Sequence, residues 1–200
     1  MTGLKRYALS VHDALRARGL DVALRHPRPV VPQPLMRLGK RLGLDAEAFF
    51  RSYPVAVDAS GATVCHLASQ TLATALLFQR LPPTVVTVHD IIPYLTRGDP
   101  GMNTYRSVFD RLFDMLAMRG LRRAQRLIAI SQYTRQCLVD ALGIPDERIR
   151  VVHRAVDTDL FRPLPVPAAF REEHALPQGH RYVLYPVSYT HLTLPTILLV

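Results

Sequence analysis

Thr84-Val85-Val86-Thr87-Val88-His89-Asp90-Ile91-Ile92-Pro93-Tyr94-Leu95 is the stretch on which the fold turns. Thr84–Val88 is a bare β-branched run, which favours extended backbone. Its continuity predicts a strand buried on both faces, as in a parallel sheet. The run ends abruptly at His89-Asp90, and Pro93 is expected to stop further regular structure. Ligands of such sheets gather outside the carboxyl ends of the strands. His89 falls at one of those ends, so the rest of the chain is read outward from it.

Upstream, Leu4, Tyr7, Ala8, Val11 and Leu15 mark one face of a helix, with Lys5, Arg6, Arg16 and Arg18 off that face. Gly19 ends it, and Leu20–Arg25 (LDVALR) reads as a strand. The proline-rich stretch His26–Pro34 reads as a loop, and Pro34–Pro54 as a basic, weakly amphipathic helical stretch interrupted by Gly39 and Gly43. Ala62–His66 is a short strand, and Ser69–Arg80 a helix with Ser69 as its N-cap.

Downstream, Thr104–Gln125 predicts a helix whose stripe of Val108, Phe109, Leu112, Phe113 and Leu116 is expected to pack on the sheet. Arg126–Ile130 is a second buried strand. Ser131 caps a helix over Gln132–Leu142, which Gly143 and Pro145 terminate, and Arg148–His153 is the next strand. This alternation is that of an α/β, doubly wound, mostly parallel sheet. Phe161–Gln178 is proline-rich and reads as a linker with a short helix around Ala168–His174.

Composition sets the bounds. A 200-residue chain with 48% hydrophobic and 20% charged residues can bury a real core. No apolar run approaches the ~20 residues of a membrane-spanning helix, and no signal-peptide core is present. A cytoplasmic location is expected, with Cys65 and Cys137 as two buried, reduced thiols rather than a disulfide. The net charge of +9 points to an anionic partner: nucleic acid, a phosphate-bearing ligand or an acidic membrane surface.

Candidate chemistry lies along one edge. His66, His89, Ser131 and His153 each fall at or just past the carboxyl end of a predicted strand. Glycine-rich nucleotide signatures, zinc-ligand spacing and a G-x-S-x-G elbow are all absent. Nucleic-acid binding would rest on charge alone, without a recognisable frame.

Arg126–Pro163, RLIAISQYTRQCLVDALGIPDERIRVVHRAVDTDLFRP, resembles the closing segment of the N-terminal domain of family 4 glycosyltransferases, which have the two-domain GT-B fold. VVTVHDIIP is similar to their "TVHD..P" strand, and Gly3-Leu4-Lys5-Arg6-Tyr7 to the loop entering their first helix. The likeness spans roughly residues 3–185. It implies a retaining transfer of sugar from a nucleotide-sugar donor to a glycan or lipid-linked acceptor. The acceptor would be held by this N-terminal half, and the donor nucleotide chiefly by a second Rossmann-like domain. By the same resemblance His89 is the catalytic candidate, lying near the transferred sugar. Gly3 and Leu4 match the loop that approaches the donor phosphates or the acceptor; His66, Asp90 and Ser131, taken from their strand-end positions, complete the candidate substrate-binding set. No metal and no cofactor beyond the donor substrate are implied, and no nucleic acid. Peripheral contact with the inner face of an anionic cytoplasmic membrane is expected, through Leu35–Arg51 or through Arg119, Arg122, Arg123 and Arg126.

The chain departs from the family in places. Arg154-Ala155-Val156-Asp157 stands where Asn-Gly-Val-Asp is usual, and the family's first strand has no counterpart before Gly3. The expected organisation is a family 4-like N-terminal domain over 1–160, a linker over 161–180 and the opening strand of a second domain over 181–185. Residues 186–200 carry no Lys, Arg, Asp or Glu, and Ser188–Thr196 resembles translated sequencing-adapter sequence, so they are expected to be a non-native tail. The expectation is thus the N-terminal part of a larger transferase, inactive by itself. The alternatives are a non-catalytic sugar- or nucleotide-binding α/β module and a basic nucleic-acid-binding protein.

Overall fold

A computed structural model describes residues 3–29, 41, 55–105 and 107–176. The predicted helical stretch Pro34–Pro54 (Arg41 apart), the strand Arg181–Tyr185 and the tail 186–200 lie outside the described residues. The chain divides into two compact units, 1–155 and 156–200.

The first unit is built on a four-stranded, all-parallel sheet: β3 (Cys65–Leu67), β4 (Thr84–Val88), β5 (Arg126–Ala129) and β6 (Ile149–Val151), in that spatial order. A separate two-residue antiparallel pair joins β1 (Arg28–Pro29) to β2 (Val55–Ala56). In the parallel sheet Val85 lies opposite His66 and Arg126, and Val88 opposite Ala129. Alternation along the strands sends Leu67, Val86, Val88, Leu127 and Ala129 to one face, where they form the fully buried core. His66, Val85, Thr87 and Ile128 belong to the other face. Burial there is uneven: Thr87 is sealed, whereas Val85 and Ile128 are only half-buried. The apolar run of β4 is therefore buried fully on one face and in part on the other.

Helix α1 (Gly3–Ala17) touches that second face through the Tyr7 hydroxyl, which meets Thr87 Oγ1, and none of its residues is fully buried. On the core face, a 3-10 turn (Gln70–Thr74) leads into α2 (Ala75–Phe78) between β3 and β4. Helix α3 (Ile92–Leu95) and α4 (Val108–Leu121) lie between β4 and β5, and α5 (Gln132–Leu142) between β5 and β6. A four-stranded, all-parallel sheet with helices between its strands is the α/β arrangement the alternation predicts.

Local signals decide the helix ends. The hydroxyls of Ser69, Ser107 and Ser131 accept from Thr71, Asp110 and Thr134 backbone N–H groups. Gly143 closes α5 in the left-handed region at φ 61°. Arginines satisfy other open ends: Arg122 Nε donates to Leu142 O at 2.9 Å, and Arg123 to Leu76 O and Leu77 O in α2. Each places a cation against the carbonyl-rich end of a helix. Arg126 likewise turns back, onto Gln125 O.

Five expectations need correction. Cys137, expected to be buried, is only half-buried. Leu20–Arg25 forms no strand; it stays outside the sheet, with Leu20 and Leu24 exposed. Pro93 does not end regular structure but sits in the first turn of α3, where its missing N–H costs nothing. The predicted helix Ser69–Arg80 is a 3-10 turn followed by a single α-turn. In α4 the buried residues are Ala117, Met118, Gly120 and Leu121, while Val108, Phe109 and Leu112 are exposed, Val108 to 81%. Small residues make this packing, since a Cβ on Gly120 would lie 2.0 Å from the Ala73 carbonyl oxygen. Of the larger stripe residues, Phe113 and Leu116 are half-buried and the other three are exposed.

The second unit contains α6 (Ala168–Glu173), where the expected short helix falls, with Phe170 edge-on to His174 at 4.2 Å. Asp157 Oδ1 accepts from the backbone N–H groups of Asp159 and Leu160, an Asx turn.

Candidate functional site

The carboxyl end of β4 carries a side chain whose bonding is incomplete. His89, only 8% exposed, follows Val88 directly. Its backbone N–H donates to Gln70 Oε1 at 3.2 Å, and its ring Nε2 lies 2.9 Å from the Ala68 carbonyl oxygen. A carbonyl only accepts, so Nε2 bears the proton and the tautomer is fixed. Nδ1 then presents a lone pair in the neutral ring. That atom is buried, and among the described residues it has no hydrogen-bond partner. An orphaned buried acceptor of this kind costs about 1–3 kcal/mol, a cost that a ligand hydroxyl in the right place removes.

One neighbouring hydroxyl organises the surroundings. Thr87 Oγ1 is 2.8 Å from His66 Nε2 and 2.9 Å from the Tyr7 hydroxyl. Burial lowers the pKa of His66, which keeps its imidazole neutral. Tyr7 in turn sets its ring edge-on to His89, with centroids 5.1 Å apart and planes at 89°. The guanidinium of Arg154 stands 6.0 Å from the Tyr7 ring, and its Nη2 is 3.9 Å from where a Gly3 Cβ would be. Thus α1 brings its first turn, which has no acidic residue, to the strand end that carries His89.

Beyond His89 the chain turns at Asp90, whose Oδ1 accepts from the Ile92 N–H at 3.3 Å. Asp114 on α4 accepts from the Tyr105 hydroxyl at 2.5 Å. Burial raises the Asp114 pKa and the charge of Asp90 adds to that, against the Tyr105 bond and Arg97. Burial, followed by the bond to Asp114 and its charge, raises the Tyr105 phenol as well. Arg97 stacks over the Tyr94 ring at 4.0 Å and donates to the Tyr94 carbonyl.

The residues singled out from sequence thus divide. His66 and His89 are linked through Thr87 and Tyr7, and Gly3 approaches the same group through Arg154. Leu4 is exposed in the first turn of α1, and Asp90 shapes the turn after His89. Ser131 lies at the end of neighbouring β5, where its hydroxyl is occupied by the Thr134 N–H at 3.0 Å and faces Thr134 Oγ1 at 2.9 Å. His153 is exposed beyond β6 and joins none of these contacts. Sequence reasoning missed Tyr7 and Thr87 as parts of the site. Their signals were a hydroxyl among apolar residues on each element: Thr87 inside the β4 run and Tyr7 in the α1 stripe. Among the described residues no cluster of His, Cys, Asp and Glu is able to hold a metal, and no helix is long and apolar enough to cross a membrane.

The family profile of Glycosyltransferase Family 4 matches residues 1–160. No curated protein matches the chain.

Proposed function

Since the chain belongs to glycosyltransferase family 4, we propose that this sheet forms the acceptor-side half of a site that moves a sugar from a nucleotide-sugar donor to a glycan or lipid-linked acceptor, with retention at the anomeric carbon. The observation that carries the reading is His89 Nδ1, a buried acceptor with no partner among the described residues. A sugar hydroxyl is the natural donor to it. With Nε2 committed to Ala68 O, the imidazole orients that hydroxyl by accepting through Nδ1. Such a bond is made in a water-poor setting and needs no reorganisation as charge develops at the anomeric carbon.

The first turn of α1 supports the donor side. The positive end of the α1 dipole and the nearby Arg154 guanidinium favour the diphosphate of a nucleotide-sugar, with Gly3 and Leu4 at the point of approach. His66 and Ser131 stand at the rim in this reading, because both already have internal partners, and Asp90 fixes the turn beside the sugar. The donor nucleotide is held chiefly by a second Rossmann-like domain. The donor is consumed as a substrate, and no metal has a role. The setting is the cytoplasm, with contact to an anionic membrane surface when the acceptor is lipid-linked; the net charge of +9 supports this.

The test is side-chain nitrogen NMR of the histidine-labelled chain during addition of nucleotide-sugars and oligosaccharides. A ligand hydroxyl bound to Nδ1 moves the Nδ1 resonance while Nε2 stays protonated. Ligands that perturb the amides of α1 and β4 but leave Nδ1 unmoved refute the assignment.

A further inference from the structure

We infer that Tyr7 is a positioning residue for His89, held in place by a hydrogen-bonded chain His66–Thr87–Tyr7 on the second face of the sheet. The inference rests on the reading of His89 as the group that meets substrate. Three observations carry it. The Tyr7 ring stands edge-on to the His89 ring at 5.1 Å and 89°. Its hydroxyl is tied to Thr87 Oγ1 at 2.9 Å, and that oxygen is tied to His66 Nε2 at 2.8 Å. His89 itself has one ring bond, to Ala68 O, so nothing polar among the described residues fixes the Nδ1 side of the ring.

The proton count makes the chain continuous. Thr87 has one hydroxyl proton and sits between two partners, so it donates to one and accepts from the other. His66 is kept neutral by burial, so its Nε2 either accepts from the Thr87 hydroxyl or donates to it. The Tyr7 hydroxyl takes the complementary role toward Thr87 Oγ1. Each group has one bond of the correct sense, and bonds in such a chain strengthen one another. The aromatic ring is thereby fixed in rotation and depth against His89. Edge-to-face aromatic contacts hold a neighbour's orientation without claiming its lone pair. Nδ1 is thus braced but left open for a ligand.

The experiment uses the chain itself and needs no turnover, so it stands or falls apart from the sugar-transfer reading. Solvent exchange of the His89 Nε2–H proton and the ring tautomer are followed by histidine side-chain NMR in wild type, Tyr7→Phe, Tyr7→Leu and Thr87→Val. Backbone amides of β4 and β5 report overall opening. Tyr7→Leu should speed Nε2–H exchange relative to those amides by about tenfold, the equivalent of one hydrogen bond of ordinary net strength, and should mix the tautomers. Thr87→Val and Tyr7→Phe keep the shapes and lose the chain; each should give the same change in smaller degree. Unchanged exchange and tautomer in Tyr7→Leu overturn the inference. So does faster exchange that the β4 and β5 amides match, because that reports lost stability and not lost positioning. If Tyr7→Leu fails to fold, Tyr7→Phe and Thr87→Val decide by the same two criteria.

Discussion

Gly120→Ala tests the packing that seats His89. Substituting alanine inside a helix ordinarily gains about 1 kcal/mol over glycine. Here the added Cβ would lie 2.0 Å from the Ala73 carbonyl oxygen and 2.6 Å from its carbonyl carbon. Ordinary contact begins near 3.4 Å, and the obstacle is backbone, which has no rotamer to escape into. The crossing of α4 over the 3-10 turn must open by more than an ångström, on the order of 3 kcal/mol at the upper end of overpacking costs. The net loss is about 2 kcal/mol, or a fall in Tm of about 4–8 °C for a chain of this size. The same 3-10 turn carries Gln70, which accepts from the His89 N–H, so the His89 amide resonance should shift with it. Differential scanning calorimetry and amide NMR provide the assay. The double variant Ala73→Gly/Gly120→Ala sharpens it: removing the Ala73 methyl, 3.2 Å away, should not restore stability, because the carbonyl is what blocks. A Gly120→Ala protein as stable as wild type, or one rescued by Ala73→Gly, refutes the reasoning.

Three other outcomes follow from the same structure. Asp114 has its pKa raised by burial, so its contribution to stability is full below the ordinary carboxylate value and is lost as pH rises through the raised one; Asp114→Asn, which can still accept from Tyr105, should flatten the urea-midpoint-versus-pH curve across that window without loss at pH 7. Cys65 is buried, with its thiol pKa raised by desolvation, whereas Cys137 is partly exposed; native-state alkylation should label Cys137 first and reach Cys65 only on unfolding. The chain should co-sediment with acidic but not neutral liposomes at low salt, and Arg37→Gln/Lys40→Gln/Arg41→Gln should lower the bound fraction more than Arg122→Gln, since Arg122 spends its Nε on the Leu142 carbonyl.

The readable and unreadable parts of the sequence separate by the range of the interactions that decide them. β4 and the two ends of α5 were legible because each is set within a few residues: a β-branched run, a serine bonded three residues on, and a glycine at φ 61°. Leu20–Arg25 carries a strand's alternation, yet a strand exists only with a neighbour, and no local pattern reveals that none pairs with it. The α4 stripe misled for a related reason. Periodicity weighs large apolar residues, whereas the buried crossing is made by Gly120 against Ala73, a fit that becomes visible only with both elements in place.

His89 was placed at a strand end by counting along the chain. What counting could not supply was its chemistry: which nitrogen is committed, which is open, and that Tyr7 lies against the ring from 82 positions upstream. The network that joins Tyr7, Thr87 and His66 is long-range by the same measure, since Tyr7 and Thr87 are 80 positions apart. The pattern of polar residues along the strand ends marked the neighbourhood, and the hydrogen-bond geometry then separated residues with spent side chains, such as Ser131, from the one with an open acceptor.

The central claim is tested most directly by turnover of the enzyme that carries this domain together with a donor-binding domain, comparing wild type with His89→Ala at matched folded protein. The account predicts a fall in kcat on the order of 10²–10³-fold, the usual consequence of removing one preorganised hydrogen-bonding group, with the unfolding midpoint nearly unchanged. A His89→Ala enzyme that transfers sugar at the wild-type rate while unfolding at a lower midpoint would contradict it, and would make His89 a structural histidine of the β4 turn.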